Sequence, residues 1–324
     1  MTFRPTLLAA AVSASLFTSN AFAVSQADIT SLQAQIDALQ EQLEITTDAV
    51  EEAKRSDSKT TLGGYGELHY NNISDGADEL DLHRFVLFVN HEFNDSIRFY
   101  SEFEIEHGVA GENQVGEVEV EQAYVEFDIS DNSQIKAGVV LIPIGILNET
   151  HEPNTFYGVE RNDIENIIIP TTFYEGGAFY SKQLASGFSF DIGVHGGFDI
   201  PTVGSNTGRI RSGRQKVGEG VANDLAATGR IKYTGIAGLE LAASLQYQSD
   251  ADQGVSSAID ELVLFSTHVI YNNGPFTLRA LYARADIESD GTLEALANDA
   301  TDQDGFYIEP SYKFNNQWGV YARH

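Results

Sequence analysis

From residue 60 onward, apolar and polar positions alternate with a period of two, in segments of about ten residues bounded by turn residues. Strands are predicted near 60–71, 80–93, 96–107, 117–129, 133–142, 172–182, 188–199, 223–234, 238–249, 261–272, 275–287 and 304–314, with a further one beginning at Gln317. In one of them Ile97, Phe99, Phe103 and Ile105 share a face, and Arg98, Tyr100, Glu102, Glu104 and Glu106 take the other. Phe188, Phe190, Ile192, Val194 and Phe198 oppose Ser189, Asp191, His195 and Asp199 in the same way. Leu239, Leu241, Ala243, Leu245 and Tyr247 oppose Glu240, Ser244, Gln246 and Gln248, and Phe306, Ile308 and Tyr312 oppose Tyr307, Glu309, Ser311 and Lys313.

A soluble sandwich alternates too, so the connections decide. Short turns at 94–95, 130–132, 183–187, 235–237, 273–274 and 315–316 take turns with long stretches at 72–79, 108–116, 143–171, 200–222, 250–260 and 288–303. Short turns at one rim and long loops at the other define a transmembrane antiparallel β-barrel. Phe93, Phe188, Tyr233, Tyr271, Phe276, Phe314 and Trp318 flank the short turns and suit an interfacial aromatic girdle. Closure of such a barrel satisfies every backbone polar group inside lipid. Bacterial single-chain barrels have even strand counts, so the expectation is a 16-stranded barrel within the known range. Its segment, 56–324, reads as C-terminally incomplete, because the last strand stops partway and His324 is not aromatic.

The N-terminal texture differs. Arg4 followed by an apolar run over residues 7–17 and the small-x-small Ala21-Phe22-Ala23 reads as a signal peptide spanning 1–23. Over 24–55, Ile29, Leu32, Ile36, Leu39, Leu43, Val50 and Ala53 follow an a/d heptad register broken only by Thr46. This is a periplasmic coiled coil that associates with copies of itself.

Charge then narrows the partners. The 48 acidic against 19 basic side chains give −29; removing Arg4 with the signal leaves 18 − 48 = −30. So negative a chain repels phosphate backbones and excludes nucleic acid as a general partner. Much of the acidity is assigned to loops, at Asp75, Asp78, Glu79 and Asp81, at Glu112, Glu117, Glu119 and Glu121, and at Asp286, Glu288, Asp290, Glu294, Asp299, Asp302 and Asp304. No EF-hand spacing accompanies it, so solvation is the default. Cysteine is absent, which removes disulfides and thiolate chemistry. No Gly-x-Ser-x-Gly or His-Glu-x-x-His motif occurs, so neither enzymatic activity nor a cofactor is expected. Metal ligation is not expected either: His69 and His83 are placed to meet across neighbouring strands, but read as ordinary strand-face residues.

Leu141-Ile142-Pro143-Ile144-Gly145, the run from Phe156 to Asn162, and Ile168-Ile169-Pro170-Thr171-Thr172-Phe173-Tyr174-Glu175-Gly176-Gly177 resemble the outer-membrane porins of the phosphate-selective O and P group. Glu121-Gln122-Ala123-Tyr124-Val125-Glu126-Phe127 and Tyr307-Ile308-Glu309-Pro310-Ser311-Tyr312 are similar strands. The resemblance implies a homotrimer of water-filled barrels in a Gram-negative outer membrane, bordered by lipid and lipopolysaccharide, with the long third loop folded inward as a constriction. It makes Glu149, His151, Glu152, Glu160, Arg161, Asp163 and Glu165 the candidate filter. Alternation adds Arg98, Glu102, Glu104, Lys136, Arg230, Lys232 and Arg279 as inward wall residues, and rings of such charge set selectivity.

Phosphate-selective members rely on pore Arg and Lys clusters, and this chain is poor in both. Its basic cluster, Arg209, Arg211, Arg214 and Lys216, lies in the 200–222 loop, where collecting phosphate or touching lipopolysaccharide or a neighbouring subunit are open readings. The expected function is therefore passive diffusion of small hydrophilic solutes and ions. A phosphate- or anion-selective porin and a non-conducting adhesin or anchor are the alternatives.

Overall fold

The computed structural model describes residues 59–74, 76–291 and 301–324. The signal peptide and the coiled coil, together with Asp75, Glu294 and Asp299, lie outside the described residues. Thirteen strands follow in sequence: β1 (Thr60–Asn71), β2 (Glu79–Asn94), β3 (Ile97–Glu106), β4 (Val118–Ser130), β5 (Ser133–Leu141), β6 (Tyr174–Gln183), β7 (Phe188–Gly196), β8 (Leu225–Tyr233), β9 (Leu239–Gln248), β10 (Leu262–Asn273), β11 (Phe276–Ile287), β12 (Asp302–Lys313) and β13 (Gly319–Tyr321). Their bounds agree with the period-two reading to within three residues. All belong to one sheet in which every strand pairs with the next in chain order, antiparallel throughout. Among the described residues no pairing joins β1 to β13, so the sheet is not closed, and its thirteen strands are the twelve predicted and the one beginning at Gln317; a sixteen-stranded closed barrel is not seen.

Burial is inverted relative to a soluble domain. On β2, Arg84 is only 8% exposed while its neighbour Phe85 is 48% exposed. Leu80, Leu82 and Leu87 are exposed alongside Phe85, and Leu62, Ile192, Leu245, Phe306 and Ile308 repeat the pattern around the sheet. A continuous exposed apolar band of this kind is unstable in water and suits hydrocarbon. Phe93, Phe188, Phe314 and Trp318 are exposed beside the short turns, as a girdle requires.

Two β-bulges shift which residues face inward. Between β1 and β2 the pairing steps from Leu68 with Leu82 to Glu67 with Arg84, so His83 is the extra residue, and Asp81, His83 and Arg84 all turn to the inner face. Between β3 and β4 it steps from Glu102 with Gln122 to Phe103 with Val120, and Glu121 joins Gln122 inside. Several carboxylates assigned to loops therefore stand on strands: Asp81 on β2, Glu119 and Glu121 on β4, Asp286 on β11, and Asp302 and Asp304 on β12.

The inner face is not uniformly polar. Leu262 and Leu264 of β10 and Leu281, Ala283, Ala285 and Ile287 of β11 are buried, and pack with Ile142, Ile144, Ile168, Ile169 and Phe173 from the connection between β5 and β6. That connection, residues 142–173, also reaches β4, β8 and β12 through side-chain bonds. A segment touching strands so far apart in the sheet order lies within the curl of the sheet, as the inward third loop was expected to.

Candidate functional site

The inward loop is tied at its base and at its tip. At the base, Asn148 Nδ2 donates to the carbonyls of Ile142 (2.7 Å) and Phe173 (2.8 Å), and its Oδ1 accepts from the Phe173 amide at 2.6 Å. Deeper in, Glu165 is fully buried. It accepts from the amides of Ile146 (2.6 Å) and Leu147 (2.7 Å), from Tyr307 Oη on β12 (2.7 Å) and from Asn162 Nδ2 (3.3 Å). Gly145 makes this possible: its φ is +74°, and a Cβ there would stand 2.8 Å from Glu165 Oε1. Gly305 on β12 likewise leaves room for the Ile164 side chain, whose Cδ1 would lie 2.3 Å from an added Cβ.

Charged contacts fix the rest of the loop. His151 Nε2 lies 3.0 Å from Glu121 and 3.5 Å from Glu102, and its Nδ1 is 3.3 Å from the Asn148 carbonyl. Burial by itself would lower the His151 pKa, but the two carboxylates override it and raise it to about 10. The imidazolium donates from both nitrogens, which suits acceptors on either side. Glu149 pairs with Arg230 of β8, which also holds Asp191 of β7 at 2.8 Å. Arg279 of β11 donates to the Thr155 carbonyl at 2.7 Å and stands 3.8 Å from Glu309. Arg161 reaches the His151 carbonyl at 3.3 Å, and burial lowers its pKa.

The sequence-derived candidates thus separate. Glu102, Glu149, His151, Arg161, Arg230 and Arg279 come together where loop meets wall. Glu104 is buried against Arg84 at 3.5 Å. Arg98 is clasped by Glu126 (2.9 Å) and Asp128 near the short turns. Lys136 stands 5.5 Å over the Tyr124 ring, and Lys232 lies 3.9 Å from Glu240. Glu160 and Asp163 are exposed on the loop, and Glu152 is half-buried. Glu165 is a tie of the loop and does not line open space. Partners outside the candidate set are Arg84, Asn148 and Glu121, whose inward turn depends on the bulge, together with Asp191 and Tyr307, which the alternation had placed on the polar faces of their strands without a role.

The basic cluster is spent inside the protein. Arg211 Nη1 donates to the carbonyls of Thr171 (2.6 Å) and Asn166 (3.1 Å), and Arg214 Nη1 to that of Thr172 (2.5 Å). Lys216 pairs with Glu119 and, at 2.9 Å, with Glu117. Burial, with Arg214 and Arg161 close by, lowers the Arg211 pKa to about 10. Arg211 and Arg214 clasp the inward loop, Lys216 is held by the carboxylates at the start of β4, and none of the three is free for phosphate; Arg209 is the exposed member. Arg214→Gln is expected to loosen the 200–222 connection by about 1.5–3 kcal/mol, the usual worth of a charged hydrogen bond. Faster tryptic cleavage at Arg209 measures it, and the reversal potential of any current should not move.

Toward the short turns the interior opens into a cavity of about 570 Å³ whose lining includes Asp128, Lys136, Glu149, Asp191, Arg230 and Lys232. Both signs of charge face it.

An antiparallel sheet with apolar outer positions, short turns at one rim and a long loop packed inside has the architecture of the outer-membrane porin barrels. Solved structures of that class share the fold. The chain is similar to an anion-selective porin from Comamonas acidovorans (TM-score 0.53, 13% identity, covering 82% of this chain and 78% of that one). It is also similar to OmpF of Salmonella typhi, solved as a complex with daunomycin (TM-score 0.51, 13% identity, 80% and 75% covered). An uncharacterized protein of Aquifex aeolicus (strain VF5) is 31% identical over 280 residues, covering 78% of this chain and 61% of that protein. The chain therefore spans about three fifths of that relative's length. No family model matches it.

Proposed function

We propose that the protein is a porin of the Gram-negative outer membrane, without enzymatic activity, through which small hydrophilic solutes and ions diffuse passively. The observation that carries this is the inward loop: a long connection held inside the sheet by buried bonds, with ionised side chains at its contact with the wall. In this reading the apolar outer faces meet lipid, the long-loop rim meets lipopolysaccharide, and the barrels assemble as homotrimers. Glu149, Arg161, Arg230 and Arg279 narrow the path and set its field, since fixed charge at a constriction governs which ions pass, and the sealed His151 holds the loop against the wall. Glu165 and Asn148 hold the loop in place.

Selectivity for phosphate or another anion is the second reading, favoured by Lys136, Arg230 and Lys232 at the cavity. Arg230 is neutralised by Glu149 and Asp191, however, and Arg211, Arg214 and Lys216 are engaged, so unselective diffusion is preferred. The full-length protein in planar bilayers is expected to give discrete conductance steps, and correctly inserted protein that never conducts would sink the proposal. Reversal potentials in a KCl gradient then separate the two readings, with strong anion preference overturning the first.

A further inference from the structure

At the long-loop rim, two backbone irregularities bring imidazoles onto one carboxylate. His83 is the bulged residue of β2. His107 follows the end of β3 with φ +55°, a left-handed conformation uncommon outside glycine. Both turn their Nδ1 atoms to Asp81: His83 Nδ1 is 3.3 Å from Oδ2, and His107 Nδ1 is 3.0 Å from either oxygen. The potential ligand atoms of the three residues lie within 4.8 Å of one another.

We propose that Asp81, His83 and His107 form a binding site for a divalent transition metal such as Zn²⁺, with water completing a tetrahedral shell. In a tetrahedral site with metal–ligand bonds near 2.05 Å, neighbouring ligand atoms are separated by roughly 3.3 Å. Two of the three edges are already close to that length, and the ligand atoms of the third lie within 4.8 Å of each other. Two neutral imidazoles and one carboxylate also match the donor preference of Zn²⁺.

The surroundings support the set. The His69 ring stacks on His83 with centroids 4.2 Å apart and is held by Glu67 at 2.7 Å, which fixes the plane of the ligand ring. Arg84 Nη2 lies 3.4 Å from His83 Nε2. Coordination through Nδ1 places the proton on Nε2, so this contact gives way while Arg84 keeps Glu67 (3.1 Å) and Glu104 (3.5 Å). All three ligands are half-buried, which leaves a face for metal and water to approach. Of the three other groupings on the inner wall, that of Glu67, His69 and His83 shares His83, with His69 already held by Glu67 and Glu67 by Arg84, and the remaining two lack a free face. Glu102, Glu121 and His151 are sealed, and the Lys216 ammonium already occupies Glu117 and Glu119 beside Glu106.

Calorimetric titration of the folded full-length chain with ZnCl₂ at about pH 8 tests the site. One Zn²⁺ per chain is expected, and H83N and H107N should each weaken it by at least about 10–100-fold, the loss that follows removal of even a supporting partner. A flat titration of folded wild-type protein up to about 1 mM Zn²⁺ would overturn the proposal. So would undiminished affinity in H107N, whose side chain lies beyond the strand ladder and leaves barrel pairing intact. The readout is binding, so it stands whether or not the barrel conducts.

Discussion

Glu165→Ala is expected to release the inward loop while the sheet stays paired. The carboxylate carries no strand hydrogen bond; its partners are two loop amides, the Asn162 side chain and Tyr307 Oη. Its removal strands the Ile146 and Leu147 amides and the Tyr307 hydroxyl in a closed interior. Each orphaned donor costs about 1–3 kcal/mol, so the loop's packed position loses on the order of 3–9 kcal/mol. Tyr307→Phe deletes one donor together with its bond and should cost only about 1 kcal/mol. Two measurements check this: tryptic cleavage at Arg161, rapid in E165A and slow in wild type and Y307F, and unitary conductance in bilayers, larger in E165A. An E165A protein with wild-type protease resistance would mean that the apolar contacts of Ile142, Ile144, Ile168 and Ile169 hold the loop unaided.

The strands were legible because their physics is local. Period-two alternation and turn residues place all thirteen within a few residues, and the alternation of short and long connections distinguishes a barrel from a sandwich. Contacts across the interior were not legible. Glu165 and Tyr307 are 142 positions apart, and nothing in either neighbourhood announces the other. A bulge defeats alternation in a specific way: one extra residue at His83 and another at Glu121 reverse the in-out parity beyond them, bringing consecutive residues to one face. Strand β10 hid its inner face for a different reason, since Leu262 and Leu264 alternate with Val263 and Phe265 and neither side reads as polar. The basic cluster misled because charge in a loop suggests an outside partner such as phosphate, lipopolysaccharide or a neighbouring subunit, whereas Arg211 and Arg214 find their acceptors in carbonyls that the inward loop leaves without a ladder.

His151 yields the second large effect, and it depends on pH. Its imidazolium stands between Glu121 and Glu102, both buried, with the Asn148 carbonyl on its other nitrogen. His151→Leu leaves two buried carboxylates facing each other without their cation, and breaking a buried ion pair in this way costs about 3–5 kcal/mol. In the wild-type protein the folded pKa, about 10, lies above the ordinary value of 6.5. The stabilisation is therefore fully present below about 6.5, declines above it, and is gone once the pH has risen through about 10. Tryptic cleavage at Arg161, whose side chain donates to the His151 carbonyl, should accelerate across that window in wild type. It should be fast and much less dependent on pH in H151L, after correction for the protease's own profile. A wild-type rate flat across the window would show that the pair holds the loop equally well when His151 is neutral, and the loop would then be fixed by Asn148, Glu165 and the apolar contacts alone.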